Sequence, residues 1–474
     1  MAHSCDPKST FQECELAILR TVVDEASERQ SSAVANSPEV KKMISIVEDF
    51  LRRKRLVCYG GTAINALLPT EDQFYNKETE IADYDFYSPN PVADAKELAD
   101  IYVKEGFDEV EAKSGQHHGT YKVFVNFIGM ADITYMEKGI YERVKEEAVS
   151  VGGILYAPAN FLRMGMYLEL SRPSGDVSRW EKVLKRLGLL NKSYPLRGPK
   201  CYNKDFQREM TSVDKKEEEK IYTILRDTFI NQGVIFFGGY AISKYRHYMS
   251  KKIKDRFQKI PDFDVLSEEP ELVATIVKER LEQEGIDDVK IVKKKSIGEI
   301  VASHYQIIVN GNDTVAFIYE PLACHSYNII NEKGRKVNIA TIDTILSFYL
   351  AFLFAKVSKT KNDKIENVYD EERLLCIAEY LFKVQEKNKL AQRGVLKRFS
   401  LDCYGHQETI EEMRAEKTKK FQELKNKKDS KEYEEWFLKY NPNDTTKKQK
   451  GKKSKTKKTK KSKRKNKTKK WFYD

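Results

Sequence analysis

The sequence predicts an α+β protein built from one domain used twice and finished by a basic tail. Three observations predict it. An apolar strand runs into a glycine pair at Cys58-Tyr59-Gly60-Gly61-Thr62-Ala63-Ile64-Asn65, and the pattern returns at Val234-Ile235-Phe236-Phe237-Gly238-Gly239-Tyr240-Ala241-Ile242. An Asp-x-Asp pair follows each time, Asp83/Asp85 beginning 22 residues after Gly61 and Asp262/Asp264 beginning 23 after Gly239. Residues 447–470 hold sixteen Lys or Arg and no acid.

A chain of 474 residues is long enough for two or three domains, each with a sizeable core. The formal charge of +12 belongs to the tail, because 12 − 16 leaves −4 for everything else. Seven scattered cysteines, never spaced as Cys-x-x-Cys, read as neither a disulfide framework nor a zinc site, which makes a reducing compartment the default. The N-terminus lacks a basic stretch followed by an apolar one. The longest apolar run, residues 345–357, is interrupted by Ser and Lys and is too short to span a bilayer. A cytosolic protein without a membrane segment is expected.

In chain order, residues 9–30 carry apolar positions at helical spacing and predict an amphipathic helix. Ser37-Pro38-Glu39 then reads as the N-cap, first-turn proline and early acid of a second helix reaching about residue 53. Ser88-Pro89-Asn90-Pro91 reads as a turn, and residues 92–105 as a helix closed by Gly106. Residues 123–127 and 131–135 look like paired strands joined through Gly129. A helix with Phe161, Leu162, Met166, Leu168 and Leu170 on overlapping faces follows, then another over residues 177–187. The second copy opens with a helix over 216–231. Beyond residue 375 the pattern stays helical to about Phe399, and residues 408–440 read as one highly charged helix. Past Pro442 the composition cannot bury enough surface to fold and predicts disorder.

The repeat extends past the glycines and acids. Glu284-Gly285-Ile286 matches Glu105-Gly106-Phe107, Ile308-Val309-Asn310 matches Phe124-Val125-Asn126, and Ser347-Phe348-Tyr349-Leu350 falls against Gly165-Met166-Tyr167-Leu168, all offsets lying between 178 and 184 residues. Aligning Asn126 with Asn310 sets Asp132 opposite Ala316, so the second copy lacks a third carboxylate. The expected division is an N-terminal helical segment (1–50), a first domain (51–205), a second (206–404), a charged helical segment (405–445) and a Lys-rich tail (446–474).

The chemistry follows from residue types. A strand running into two glycines brings backbone amides close to something bulky and anionic, and a later strand sets two carboxylates on one face. Asp83, Asp85 and Asp132 would repel one another unless cations neutralise them. Hard divalent ions suit such a set, Mg2+ best and Mn2+ as the alternative. In a two-metal arrangement one ion activates an attacking hydroxyl while the other steadies the leaving group, and the glycines admit a triphosphate. Nucleotidyl transfer is the expected reaction. Against this stands the ordinary reading of Asp83 and Asp85 as a polar strand end. For Asp262 and Asp264 the ordinary reading, a remnant of duplication, is the favoured one.

Among the cations on helices after the third acid (Arg163, Arg179, Lys182, Lys185, Arg186), a solvated helix face explains most, and Arg163 and Lys182 are the two expected near nucleotide. His117 and His118 lack ligand-spaced companions and read as a loop or substrate-side contact. Sixteen tail cations can displace counterions from a nucleic acid, with a localisation or solubilising role equally open. Trp471-Phe472-Tyr473 could stack on bases or dock on a partner.

The strand-Gly-Gly, Asp-x-Asp and distal Asp order resembles the DNA polymerase β-like nucleotidyltransferase superfamily. More narrowly, Tyr59-Gly60-Gly61-Thr62-Ala63-Ile64, Asp83-Tyr84-Asp85-Phe86-Tyr87-Ser88-Pro89-Asn90 and Ala131-Asp132-Ile133-Thr134-Tyr135-Met136 resemble the poly(A) polymerase catalytic subunits of large cytoplasmic DNA viruses, of poxvirus, asfarvirus and giant-virus type. The resemblance covers roughly residues 40–400, with its densest motifs between 55 and 190. It implies two tandem nucleotidyltransferase-like domains, each a mixed sheet flanked by helices, the first active and the second degenerate. It also implies a template-independent enzyme that adds AMP from ATP to RNA 3′ ends, in the cytoplasm of an infected cell or packaged in the virion. Asp83, Asp85 and Asp132 take the metal-binding and catalytic positions, with Gly60, Gly61 and Thr62 in the nucleotide-binding loop. A homodimer or a processivity subunit is left open. So are two other functions: a non-catalytic RNA-binding or processivity protein on the same scaffold, and a related transferase with another acceptor.

Overall fold

The computed structural model describes residues 10–76, 80–199, 201, 210–254, 260–355, 370–389 and 391–443. The lysine-rich stretch and Trp471-Phe472-Tyr473 lie outside the described residues. Helices α1 (Phe11–Ala35) and α2 (Pro38–Lys54) lead into the first copy. The second helix starts where its residues dictate: Ser37 Oγ accepts from the Val40 amide at 3.2 Å and Pro38 fills the first turn. It stops where Arg55 turns left-handed at φ 54°.

The first copy then runs β1 (Val57–Cys58), α3 (Gly60–Leu67), β2 (Tyr84–Ser88), α4 (Pro91–Lys104), β3 (Val110–Ser114), β4 (Thr120–Val125), β5 (Ile128–Tyr135), α5 (Lys138–Glu146), β6 (Val149–Val151), β7 (Ile154–Tyr156), α6 (Ala159–Leu170) and α7 (Trp180–Ser193). The second runs α8 (Lys215–Asn231), β8 (Ile235–Phe236), α9 (Gly239–Tyr245), α10 (Lys251–Lys254), β9 (Phe263–Leu266), α11 (Pro270–Gln283), β10 (Val289–Lys294), β11 (His304–Val309), β12 (Asp313–Tyr319), β13 (His325–Glu332), β14 (Arg335–Ala340) and α12 (Ile342–Phe352). Behind it come α13 (Glu371–Lys387), β15 (Cys403–Tyr404), α14 (Ile410–Leu424), α15 (Lys431–Phe437) and β16 (Lys439–Tyr440).

Two mixed sheets result. The first has the order β16-β3-β4-β5-β2-β1-β7-β6 and the second β10-β11-β12-β9-β8-β14-β13-β15. Apart from the late edge strands β16 and β15, the orders correspond strand for strand. The directions correspond too: β2 runs parallel to β5 as β9 does to β12, and β1 parallel to β7 as β8 does to β14. The copies meet through equivalent helices, α6 packing on α12, with Phe161 and Phe354 edge to face at 5.1 Å. Every residue of α12 is buried. A mostly apolar helix buried on every side belongs where neighbours surround it, and that accounts for the long apolar run, its Asp343 being ion-paired with Arg398. Among the described residues no helix is long and apolar enough to cross a membrane.

Five expectations need correction. The β4–β5 turn is Asn126-Phe127, both at positive φ (48° and 65°), and Gly129 lies within β5 beside a bulge. In the second copy the corresponding turn is one residue longer, from Val309 to Asp313. That extra residue moves the match for Asp132: Asp85 pairs with Asp132 in register, while Asp264 pairs with Phe317, not Ala316. The position is apolar either way.

The charged segment expected as one helix is two, broken where Ser430 caps α15, and it ends in β16, which adds to the edge of the first sheet through Lys439↔Lys113 and Tyr440↔Ala112. The helix expected to reach Phe399 ends at Lys387, and Phe399 itself has a positive φ. Finally, the cysteines are not all reduced. Cys201–Cys376 and Cys324–Cys403 are disulfides, and Cys14 is disulfide-bonded too, while Cys58 is a buried free thiol. The two bridges join residues 175 and 79 apart in sequence, so no spacing motif announces them. Only the fold brings their Cα atoms to 5.3 and 5.1 Å.

Candidate active site

Short strand β1 ends at Cys58 and the chain turns at once into α3. Gly60 makes that turn with φ 71°, a conformation costly for any residue with a Cβ. Space demands the glycines as well. A Cβ on Gly60 would stand 2.5 Å from Asp85 Oδ2, and one on Gly61 would overlap the Tyr75 hydroxyl and lie 2.8 Å from Arg186 Nη1. One glycine thus touches a carboxylate and the other a guanidinium.

The acids arrive on neighbouring strands. The Asp85 carbonyl accepts from the Tyr59 amide at 2.9 Å, and the Asp83 carbonyl accepts from Thr62 Oγ1 at 2.7 Å. Both bonds tie the Asp-x-Asp segment to the glycine turn. Period two puts Asp83 and Asp85 on one face, and parallel pairing sets Asp132 directly beside Asp85. The three carboxylates feel one another. Burial, then Asp83 and Asp132, push Asp85 up to about 7, with Lys122 and Arg179 pulling the other way. Burial and Asp132 raise Asp83.

Lys122 is the residue the sequence reading missed. It faces Asp132 across the β4–β5 ladder, and its ammonium is ion-paired with Asp132 Oδ2. Its period-two position on β4 was visible, but the partner depends on register. Arg186 was in view but passed over. Its guanidinium donates to Tyr75 Oη at 3.0 Å and lies 4.6 Å from the Phe74 ring centre, which fixes it beside Gly61. Tyr75 belongs to the stretch between the glycines and the acids.

The two cations singled out from the sequence fare differently. Arg163 is 1% exposed, and its guanidinium donates to Asn191 Oδ1 at 2.7 Å, to Asn160 Oδ1 and to the Tyr194 carbonyl. A buried cation so engaged has no face to offer a triphosphate, so its place is to join α6 to α7. Lys182 is exposed on α7. His117 and His118 are exposed at the β3–β4 tip, where the His118 ring lies 4.1 Å from that of Trp436 of α15, tilted by 36°. A cavity of about 660 Å³ opens on the Asp83 side, lined by Thr62, Asn65, Tyr75, Asp83, Tyr84 and Tyr156 among others.

The second copy keeps the backbone plan without the opening. Its glycine turn is packed against its own acids: a Cβ on Gly238 would overlap Asp264 Oδ2, and one on Gly239 would overlap Asp262 Oδ1. The Asp264 carbonyl accepts from Phe237 and Gly238 at 3.0 and 3.1 Å, and the Asp262 carbonyl from Tyr240 at 3.0 Å. The cavity beside Asp262 holds about 20 Å³. Where the first copy has Lys122 opposite Asp132, the second has Gln306 opposite Phe317.

Among the described residues, no group of three or more His, Cys, Asp or Glu stands close enough together to hold a metal ion as it is. The donor set still has the character of a cation site. Asp85 and Asp132 are paired on neighbouring strands with Asp83 on the face of Asp85, and burial first, then the charges of Asp83 and Asp132, raise Asp85.

Comparison with known proteins bears on the same residues. Residues 45–176 match the family model described as "Poly(A) polymerase catalytic subunit". An inferred poly(A) polymerase catalytic subunit of Acanthamoeba polyphaga mimivirus is 30% identical over 229 residues, 46% of this chain and 38% of that protein. One from African swine fever virus (isolate Tick/Malawi/Lil 20-1/1983) is 33% identical over 168 residues, 34% of this chain and 35% of that protein. The matches thus span little more than a third of these relatives' lengths. The crystal structure of the Megavirus polyadenylate synthase superimposes with a TM-score of 0.74 at 20% identity, covering 96% of this chain and 91% of that one. At that identity the likeness speaks for the fold.

Proposed function

We propose, from the match of residues 45–176 to the poly(A) polymerase catalytic subunit family model and the likeness to such subunits of large cytoplasmic DNA viruses, that the chain is a member of that family and adds AMP from ATP to RNA 3′ ends without a template. In this reading the first copy is the enzyme, the second is degenerate, and the work is done in the cytoplasm of an infected cell. The observation that carries it is the pairing of Asp85 with Asp132 in register, flanked by Asp83 and set against the Gly60-Gly61 turn.

Asp83, Asp85 and Asp132 would hold Mg2+ or Mn2+, the open coordination positions going to water and phosphate. Divalent ions bound there supply the chemistry of two-metal nucleotidyl transfer, lowering the pKa of the attacking 3′ hydroxyl and neutralising charge on the departing pyrophosphate. The chain's own groups do the rest. The glycine turn lets phosphate come close to backbone. Arg186, held by Tyr75 and Phe74, presents a fixed guanidinium at Gly61 for the triphosphate. Lys182, exposed on the same helix, meets the nucleotide or RNA from the solvent side, and Thr62 steadies the Asp83 backbone. The basic stretch 446–474 retains RNA by sequence-independent charge.

Purified protein given a short RNA primer and Mg2+ should elongate it with ATP in preference to the other three nucleotides. Elongation with a different nucleotide would reassign the substrate. Failure with all four, and with no pyrophosphate released, would leave the non-catalytic RNA-binding reading in its place.

A further inference from the structure

Lys122 has a role that neither packing nor fold demands. It stands at a hydrogen-bonded ladder position whose equivalent in the second copy is Gln306, buried and donating to Thr314 Oγ1 at 2.8 Å. The fold therefore accepts a neutral amide there. What separates the copies is the partner: Lys122 faces Asp132, and Gln306 faces Phe317. Within one chain the lysine and the third carboxylate are kept together or lost together. A lysine serving the sheet alone would have no reason to follow the acid.

The charges around it point the same way. Asp132 lies beside Asp85, and Asp83 senses Asp132, so the third carboxylate would leave a concentrated negative site without a nearby cation. Arg179 acts on Asp85 as well, but Lys122 is the cation ion-paired with Asp132, on a flexible stem and about 39% exposed. An ammonium is a single charge with three rotatable donors, able to leave one oxygen for another. A divalent ion coordinating Asp132 would repel it and compete for the same oxygen.

Resting on the function proposed above, we propose that Lys122 is a placeholder cation: it holds Asp132 in position while no metal is bound, yields that carboxylate when a divalent ion arrives, and is then free to meet the phosphates of the incoming nucleotide. Lys122 is thus a positioning residue in the empty site and a nucleotide contact in the loaded one.

The test is Mn2+ binding by calorimetry, without nucleotide, on the full chain and its Lys122→Gln variant, which imports the residue the second copy already accommodates. Removing the competitor should tighten Mn2+ binding about tenfold. The same change should lower the melting temperature in chelator and raise the KM for ATP at saturating metal. Lys122→Arg, which keeps the charge, should bind Mn2+ close to wild type. Binding that is unchanged or weaker in Lys122→Gln would overturn the placeholder role while leaving the triad intact. Wild-type protein that binds no Mn2+, or binds it equally after Asp83→Ala/Asp85→Ala, would instead overturn the proposed active site and this role with it.

Discussion

The two copies share seven strands in one order, a glycine pair at the end of the equivalent strand and an Asp-x-Asp segment on the next. They differ in what surrounds those features. In the first, Asp85 has a carboxylate beside it and a cavity of about 660 Å³ opens next to Asp83; in the second, Asp264 has Phe317 beside it and the space is about 20 Å³. The comparison teaches that the glycines and the first two acids survive for reasons of packing. The second copy closes further on itself: besides the Phe237–Asp264 bond that matches Tyr59–Asp85, the Asp264 carbonyl accepts from Gly238 and the Asp262 carbonyl from Tyr240. What the first copy has and the second lacks is the third acid, a cation paired with it, and room beside Asp83.

That contrast can be broken by experiment. The largest effect expected is from Asp132→Ala, which strips the first copy of what the second lacks. Primer elongation should fall by about 10³-fold or more, because in the proposed metal-dependent transfer Asp132 is the one ligand that β5 supplies. Circular dichroism should show the fold retained, since the second sheet is built with an apolar residue at that position.

A smaller effect runs in the opposite direction for stability. Asp85 is pushed up to about 7, so between the ordinary carboxylate range and pH 7 the native state binds more protons than the unfolded one. Metal-free stability is then greatest in acid and is lost as pH rises through that window. Asp85→Asn, which cannot charge, should melt about 2–5 °C above wild type at pH 8 in chelator, the difference vanishing near pH 4. Calorimetric melting across pH checks it. The same variant should be inactive, so a gain in stability would accompany the loss of function.

What the sequence disclosed and what it hid divide along the same physical line. The duplication, the glycine turns and the three acids were legible because strand alternation and short spacing are local properties. Lys122 was not, because its partner is set by the Asn126-Phe127 turn, and a one-residue difference there also displaced the match of Asp132 from Phe317 to Ala316. Arg163 misled because a cation following the third acid was expected to reach nucleotide; its neighbours Phe161, Leu162 and Met164 are all buried, and so is it. Arg186 could be placed only once Phe74 and Tyr75 were seen folded against it. The disulfides and strand β16 depend on residues far apart in sequence, and no local pattern carries them.

The most direct measurement of the central claim is Mg2+-dependent pyrophosphate release, with RNA primer and ATP, from two double variants assayed side by side. Asp262→Ala/Asp264→Ala should release pyrophosphate within about threefold of wild type, and Asp83→Ala/Asp85→Ala should release none above background. The reverse result, activity surviving without Asp83 and Asp85 but not without Asp262 and Asp264, would place the enzyme in the other copy and contradict the account.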